Sequence, residues 1–99
     1  MPDKILTEYY LTDNKRVVLI DRLGMGDLYG KEECARNIYL LSQDGTTIWQ
    51  VSSDFDNEGN PFTNLALGDD CFLHAYRWDA GSYRIDLRTG RAIPDKLIK

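Results

Sequence analysis

Residues 37–52, NIYLLSQDGTTIWQVS, decide how this chain folds. Two β-prone runs, 37–42 and 46–52, flank Gln43-Asp44-Gly45. Asp and Gly tolerate the left-handed backbone that a tight turn needs, so an Asp-Gly between such runs is a strong hairpin signal. Apolar side chains recur here at every second residue, the repeat of a strand rather than a helix.

The same pattern extends in both directions. Residues 5–11 read as a first strand, and 16–23 (RVVLIDRL) as a second, with a turn at Asp13-Asn14-Lys15. The unbroken apolar start of the second strand predicts burial on both faces. Residues 24–36 break the pattern. Gly24, Gly26 and Gly30 fall within one short stretch, which regular structure does not tolerate well. A short helical turn is expected at 31–36. Downstream, 62–67 and 71–78 flank Gly68-Asp69-Asp70, and 82–87 leads through Arg88-Thr89-Gly90 into 91–93. Pro94 makes the last strand short or places it at a sheet edge.

The fold class is therefore all-β, or β-rich α+β with at most one short helix near 31–36. Two antiparallel four-strand meanders, 5–52 and 62–98, are expected to pack as a sandwich or partly open barrel. At 99 residues one β-rich domain over 1–99 is expected, large enough to bury a core without metals or crosslinks. Residues 38–48 (IYLLSQDGTTI) and 83–93 (YRIDLRTGRAI) form a weak internal repeat that superposes Gly45 on Gly90.

NIYLLSQDGTTIWQV and SYRIDLRTGRAI resemble the strand-turn-strand elements of quinoprotein-type and WD-type β-propeller repeats. Two units cannot close a propeller, which takes at least about four blades. The IDLRTG ending resembles small bacterial proteins of unknown activity, of the kind carried on mobile (integron) gene cassettes.

Parity along the strands divides the side chains into two sets. Val18, Ile20, Ile38, Leu40, Ile48, Leu65, Leu67, Leu73, Ile85 and Leu87 are expected inside. Leu73, Ala75 and Arg77 share one face of their strand; Phe72, His74, Tyr76 and Trp78 share the other. Trp49 is expected outside, opposite Ile48. The resulting aromatic face predicts an interaction surface and a homo-oligomer, with a two-fold dimer the simplest form.

Composition and motifs narrow the chemistry. The net charge is −4, against nucleic-acid binding, which needs a basic face. The charge is uneven: 6 basic and 13 acidic residues over 1–70 give −7, and 6 basic and 3 acidic over 71–99 give +3. No apolar run is long enough for a membrane helix. The start, Met1-Pro2-Asp3-Lys4, is unlike a secretory signal, so a cytoplasmic location is expected, with Cys34 and Cys71 as thiols. Asp54, Asp56 and Glu58 before Gly59 have the spacing of half a calcium loop, but Leu65 stands where the bidentate Glu belongs. Gly24-Met25-Gly26-Asp27 lacks the remaining residues of either phosphate-binding motif. His74 is the only histidine, and three-residue spacing puts Cys71 on the opposite strand face. No metal, cofactor or catalytic residue is expected.

The candidate contact residues are His74, Tyr76, Trp78, Arg77, Arg84 and Trp49. Tyr76, Trp78 and Tyr83, with Trp49, are candidates to line a pocket. Arg84 and Arg88, with Arg77 and Arg91, are a candidate anion clamp. The sequence reading is a non-enzymatic binding module that self-associates and meets a protein or small-molecule partner. The alternative is a small-molecule-binding protein or small enzyme whose pocket forms at a subunit interface around His74.

Overall fold

Strands form where β-branched and aromatic residues alternate, and Gly releases the chain at the turns. The computed structural model describes residues 4–11, 14–22, 26–53, 59–68, 72–77 and 81–97. Strands β1 (Ile5–Tyr10) and β2 (Arg16–Ile20) precede two short helices, α1 (Gly26–Tyr29) and α2 (Lys31–Ala35). Strands β3 (Ile38–Leu41), β4 (Thr47–Gln50), β5 (Phe62–Leu67), β6 (Phe72–Arg77), β7 (Gly81–Asp86) and β8 (Ala92–Leu97) follow. They make two antiparallel four-stranded sheets in sequence order, β1-β2-β3-β4 and β5-β6-β7-β8. The arrangement is the expected all-β sandwich. Its shortest dimension, 19 Å, is the depth of two sheets stacked about 10 Å apart.

One core is shared by both layers. Val17, Leu19, Ile38, Leu40, Trp49 and Val51 of the first half meet Phe62, Leu65, Leu73, Ala75, Tyr83, Ile85 and Ala92 of the second. Polar links also cross between them. The Tyr9 hydroxyl donates to the Leu65 carbonyl at 3.1 Å, and Trp49 Nε1–H donates to the Leu87 carbonyl at 2.8 Å. A parallel bridge joins Ser52 to Arg91, with Ser52 N–H donating to Gly90 O at 3.1 Å and Ala92 N–H to Ser52 O at 2.8 Å. The sheets therefore meet at both sides, β1 and β2 against β5 and the segment after β4 against the start of β8, without joining into a closed barrel.

The inward set needs four corrections. Val17 and Leu19, not Val18 and Ile20, enter the shared core, because a run of four apolar residues carries no parity. Val18 is nevertheless buried; it faces the opposite way beside Tyr39. On that face α2 is held by Glu33, which accepts from Tyr39 Oη at 2.5 Å and from Gln50 Nε2 at 3.2 Å. Trp49 is buried and Ile48 is 45% exposed. The register explains the reversal: Leu40 pairs with Trp49 and Leu41 with Thr47, which leaves Ile48 as the extra residue of a β-bulge. Leu67 has inward parity opposite Leu73 but ends its strand, where it stays 43% exposed.

One further departure is local. The 24–36 connection holds a second helical turn, α1, beyond the one expected. Among the described residues, no helix is long and apolar enough to cross a membrane. The last strand lies at the sheet edge, the second of the two alternatives expected for it, and runs through Pro94 for 6 residues. It can do so because β8 is an edge strand, where a missing N–H breaks no ladder.

The repeat is visible in the turns. Ser42 N–H donates to Thr46 O at 2.8 Å, closing a three-residue loop with Gly45 at φ 88°, the bulged hairpin turn. Gly90 occupies the matching place at φ 78°. The two differ in surroundings. A Cβ at Gly45 would meet open space, whereas one at Gly90 would lie 2.6 Å from the Trp49 ring. Gly45→Ala is therefore expected to cost only the left-handed strain, about 1–2 kcal/mol. Gly90→Ala adds overpacking of about 1–3 kcal/mol. Urea unfolding of the two variants side by side measures the difference; equal losses would remove the Trp49 contact from the account.

Candidate functional site

The hairpin topology gives the sandwich two unlike ends. The β1–β2, β3–β4, β5–β6 and β7–β8 connections lie at one end, and the β2–β3, β4–β5 and β6–β7 connections, which include the two long ones, at the other.

The end with the long connections is filled by polar side chains that spend their hydrogen bonds inward. Arg77 is 3% exposed. Its guanidinium donates to Asn60 O at 2.9 Å, Ser53 Oγ at 3.0 Å, Tyr83 Oη at 3.2 Å and Ala35 O at 3.0 Å. It lies over the Phe62 ring at 4.4 Å and the Tyr83 ring at 4.9 Å, and these two rings meet edge to face. Asn37 is fully buried beside them. Its amide donates to Ile20 O at 2.7 Å and Phe62 O at 2.8 Å, and accepts from Phe62 N–H at 2.9 Å. One side chain thus ties the end of β2 to the start of β5.

The turn end is apolar and open. Leu11 and Leu40 from the first sheet and Leu87 from the second line a cleft of about 610 Å³. Tyr10, Ile48 and Leu67 stand around it, and Lys15 and Arg88 complete the lining. Tyr10, Ile48 and Leu67 are among the exposed large hydrophobic residues. The flanking turns are anchored by carboxylates. Asp44 accepts from Ser42 Oγ and from Thr46 N–H at 3.1 Å, which lowers its pKa to about 2, the Ser42 bond being the largest cause. Asp86 accepts from Arg88 N–H at 2.8 Å and is likewise lowered, mainly by that bond. Arg88 Nε lies 3.6 Å from Asp86 while its side chain stays 88% exposed.

The residues singled out from sequence fall in three places. His74, Tyr76 and Arg84 do come together on the outer face of the second sheet, where His74 pairs across strands with Arg84 and Tyr76 with Ser82. Arg84 stacks over Phe72 at 5.1 Å. Arg77 points the other way and is buried, so it cannot join Arg84 in an anion clamp. Trp49 and Tyr83 are core residues, which removes them from an exposed aromatic pocket. Trp78 lies outside the described residues, as do Cys71, Gly24-Met25, the turn residues Asp13, Asp69 and Asp70, and residues 54–58 of the acidic loop. Cys34 is a free, buried thiol whose pKa is raised by burial, the environment of an unreactive cysteine. Among the described residues, no group of three or more His, Cys, Asp and Glu is placed to hold a metal ion.

The cleft itself was missed by parity reasoning. Its residues sit at strand ends, where alternation stops being informative. The available signal was the apolar residue beside each turn: Leu11, Leu67 and Leu87.

A family model for a domain of unknown function, DUF7957, matches residues 8–97. The chain belongs to the DUF7957 family. No curated protein and no solved structure matches it significantly. The DUF7957 segment takes in both sheets apart from the first three residues of β1, and every residue of the cleft.

The closed end yields a direct test. Lysine keeps the charge of Arg77 but not its planar fork of donors, so the acceptors at Asn60, Ser53, Tyr83 and Ala35 cannot all be served. Arg77→Lys is expected to lose about 2–4 kcal/mol of stability, as other broken buried charge networks do. Chemical denaturation measures it; a loss within about 0.5 kcal/mol, the range of a surface change, would mean the network holds little.

Proposed function

We propose that this domain is a non-catalytic binding module and that its contact site is the apolar cleft at the turn end. The observation that carries this reading is the convergence of exposed apolar side chains from both sheets, Tyr10 and Ile48 from one and Leu67 from the other, on one concavity. Exposed apolar side chains gathered around a cleft mark a binding site more often than scattered ones do. The lining is aliphatic and aromatic with two cations, suited to holding a ligand rather than to moving a proton. A buried, protonated Cys34 thiol suits a reducing cytoplasm.

The cleft is testable without knowing the natural ligand. N-phenyl-1-naphthylamine, a neutral dye that fluoresces in apolar surroundings, is expected to bind the native protein saturably at one site. Ile48→Asp puts a charge at an exposed bulge position, so the fold is retained, and dye affinity is expected to drop about tenfold or more, the worth of a few buried methylenes. Saturable binding unaffected by Ile48→Asp, or no binding, would reject the cleft as the contact site.

A second reading concerns self-association. On the outer face of the second sheet Tyr76 is 44% and Ile93 46% exposed, flanking His74 and Arg84. A second copy covering this face through a two-fold axis would bury both apolar residues. Light scattering is then expected to give twice the monomer mass for the native chain and the monomer mass for Tyr76→Glu. A native monomer at high micromolar concentration would end this reading and leave the cleft reading untouched. A small enzyme assembled around His74 at such an interface is the remaining alternative; His74 does not line the turn-end cleft.

A further inference from the structure

We infer that the turn-end cleft takes a small amphipathic anion, an apolar tail with a single acidic head group. This inference rests on the cleft being a binding site and adds the class of ligand. Three observations bear on it. The cleft volume, about 610 Å³, lies within the roughly 300–1,000 Å³ of small-molecule sites. Its floor is aliphatic, from Leu11, Leu40 and Leu87, so the part of the ligand that enters must be apolar. Its charged lining residues are both cations, Lys15 from the first sheet's β1–β2 turn and Arg88 from the second sheet's β7–β8 turn.

The two cations stand on opposite layers, so an anion at the mouth would meet positive charge from both sides. Neither is locked into the fold. Arg88 leans on Asp86 through Nε alone in the ion pair, at 3.6 Å, with its side chain 88% exposed. Lys15 is anchored by its backbone, whose carbonyl accepts from Leu11 N–H at 2.8 Å, which leaves the position of its turn independent of the ammonium group. The chain's overall charge of −4 does not override this pair, because charges beyond about 8 Å are screened at physiological salt. Trp49 supplies a built-in reporter. Its indole N–H bonds the carbonyl of Leu87 at 2.8 Å, and Leu87 lines the cleft, so an occupied cleft perturbs that hydrogen bond.

The experiment is a titration followed by two-dimensional ¹H–¹⁵N spectra, with octanoate, 1-octanol and acetate as probes. Octanoate is expected to move the Trp49 indole and cleft backbone resonances saturably, and to bind about tenfold more tightly than octanol, the worth of one charge-assisted hydrogen bond. Acetate is expected to leave them in place. The double variant Lys15→Met/Arg88→Met is expected to bind octanoate and octanol alike, and Ile48→Asp to bind neither. Equal affinity of the native protein for octanoate and octanol would overturn the anionic head while leaving the apolar cleft standing. Shifts caused equally by acetate would overturn the need for a tail. No response to any of the three, together with loss of dye binding, would overturn both readings.

Discussion

A guanidinium shut away from water must be given its acceptors by the protein, and the structure is arranged around doing so for Arg77. The acceptors come from the end of α2 at Ala35, from the segment after β4 at Ser53, from the approach to β5 at Asn60, and from β7 at Tyr83. These parts of the chain share little else, and the one cation fixes them relative to one another. Phe62 and Tyr83 present ring faces to it, where the negative quadrupole favours a positive charge. Asn37 completes the arrangement with neutral chemistry, serving an N–H and two carbonyls at the end of β2 and the start of β5. Because each bond is directional, the relative placement of the two sheets is set here, and the apolar core can then be nonspecific in detail.

The contrast between the two ends gives the functional reading its force. At the Arg77 end, the guanidinium of Arg77 and the amide of Asn37 are buried and matched. At the other, Leu11, Leu40 and Leu87 are reached from solvent past Tyr10, Ile48 and Leu67. A fold able to plug one end so thoroughly leaves the second open at some cost in apolar exposure, and that cost is what a ligand would recover. The bulge at Ile48 has the same sense. It gives up one ladder pairing and re-aims a large apolar side chain toward the mouth, the use to which bulges near binding sites are put.

Much of the fold was legible because hairpins are local. Asp44-Gly45 and Thr89-Gly90 announced their turns, and alternation put Leu73, Ala75 and Arg77 on one face of their strand and Leu73 and Ile85 inside correctly, while Tyr83, grouped with Tyr76 and Trp78, proved a core residue. Legibility failed where alternation carries no information. In Val17-Val18-Leu19-Ile20 every residue is apolar, so the inner pair was chosen wrongly. At Ile48 a single inserted residue reversed Trp49. The candidate site was legible only in part. His74, Tyr76 and Arg84 do share a face, since strand parity and pairing suffice to place them. The cleft is assembled from four turns far apart in sequence, and nothing in any one of them announces the others. The inward-pointing Arg77 was seen to share a face with Leu73 and Ala75, but two of its four acceptors are backbone carbonyls, which every residue carries and no sequence pattern marks, and the other two are the hydroxyls of Ser53 and Tyr83.

No strand is exchanged between the sheets, and this has a kinetic meaning. Each sheet zips up from hairpins between neighbours in sequence, the kind of contact that forms fast because little loop entropy is lost. The contacts that join the sheets are of another order: Trp49 reaches Leu87 across 38 residues and Tyr9 reaches Leu65 across 56. Contacts of that length carry the larger loop-closure entropy, so the topology favours pairing within each sheet over contact between them. Docking of the sheets is what dehydrates Arg77, seats Trp49 on Gly90 and brings the two sides of the cleft together, so the cleft exists only in the assembled sandwich and in neither sheet alone.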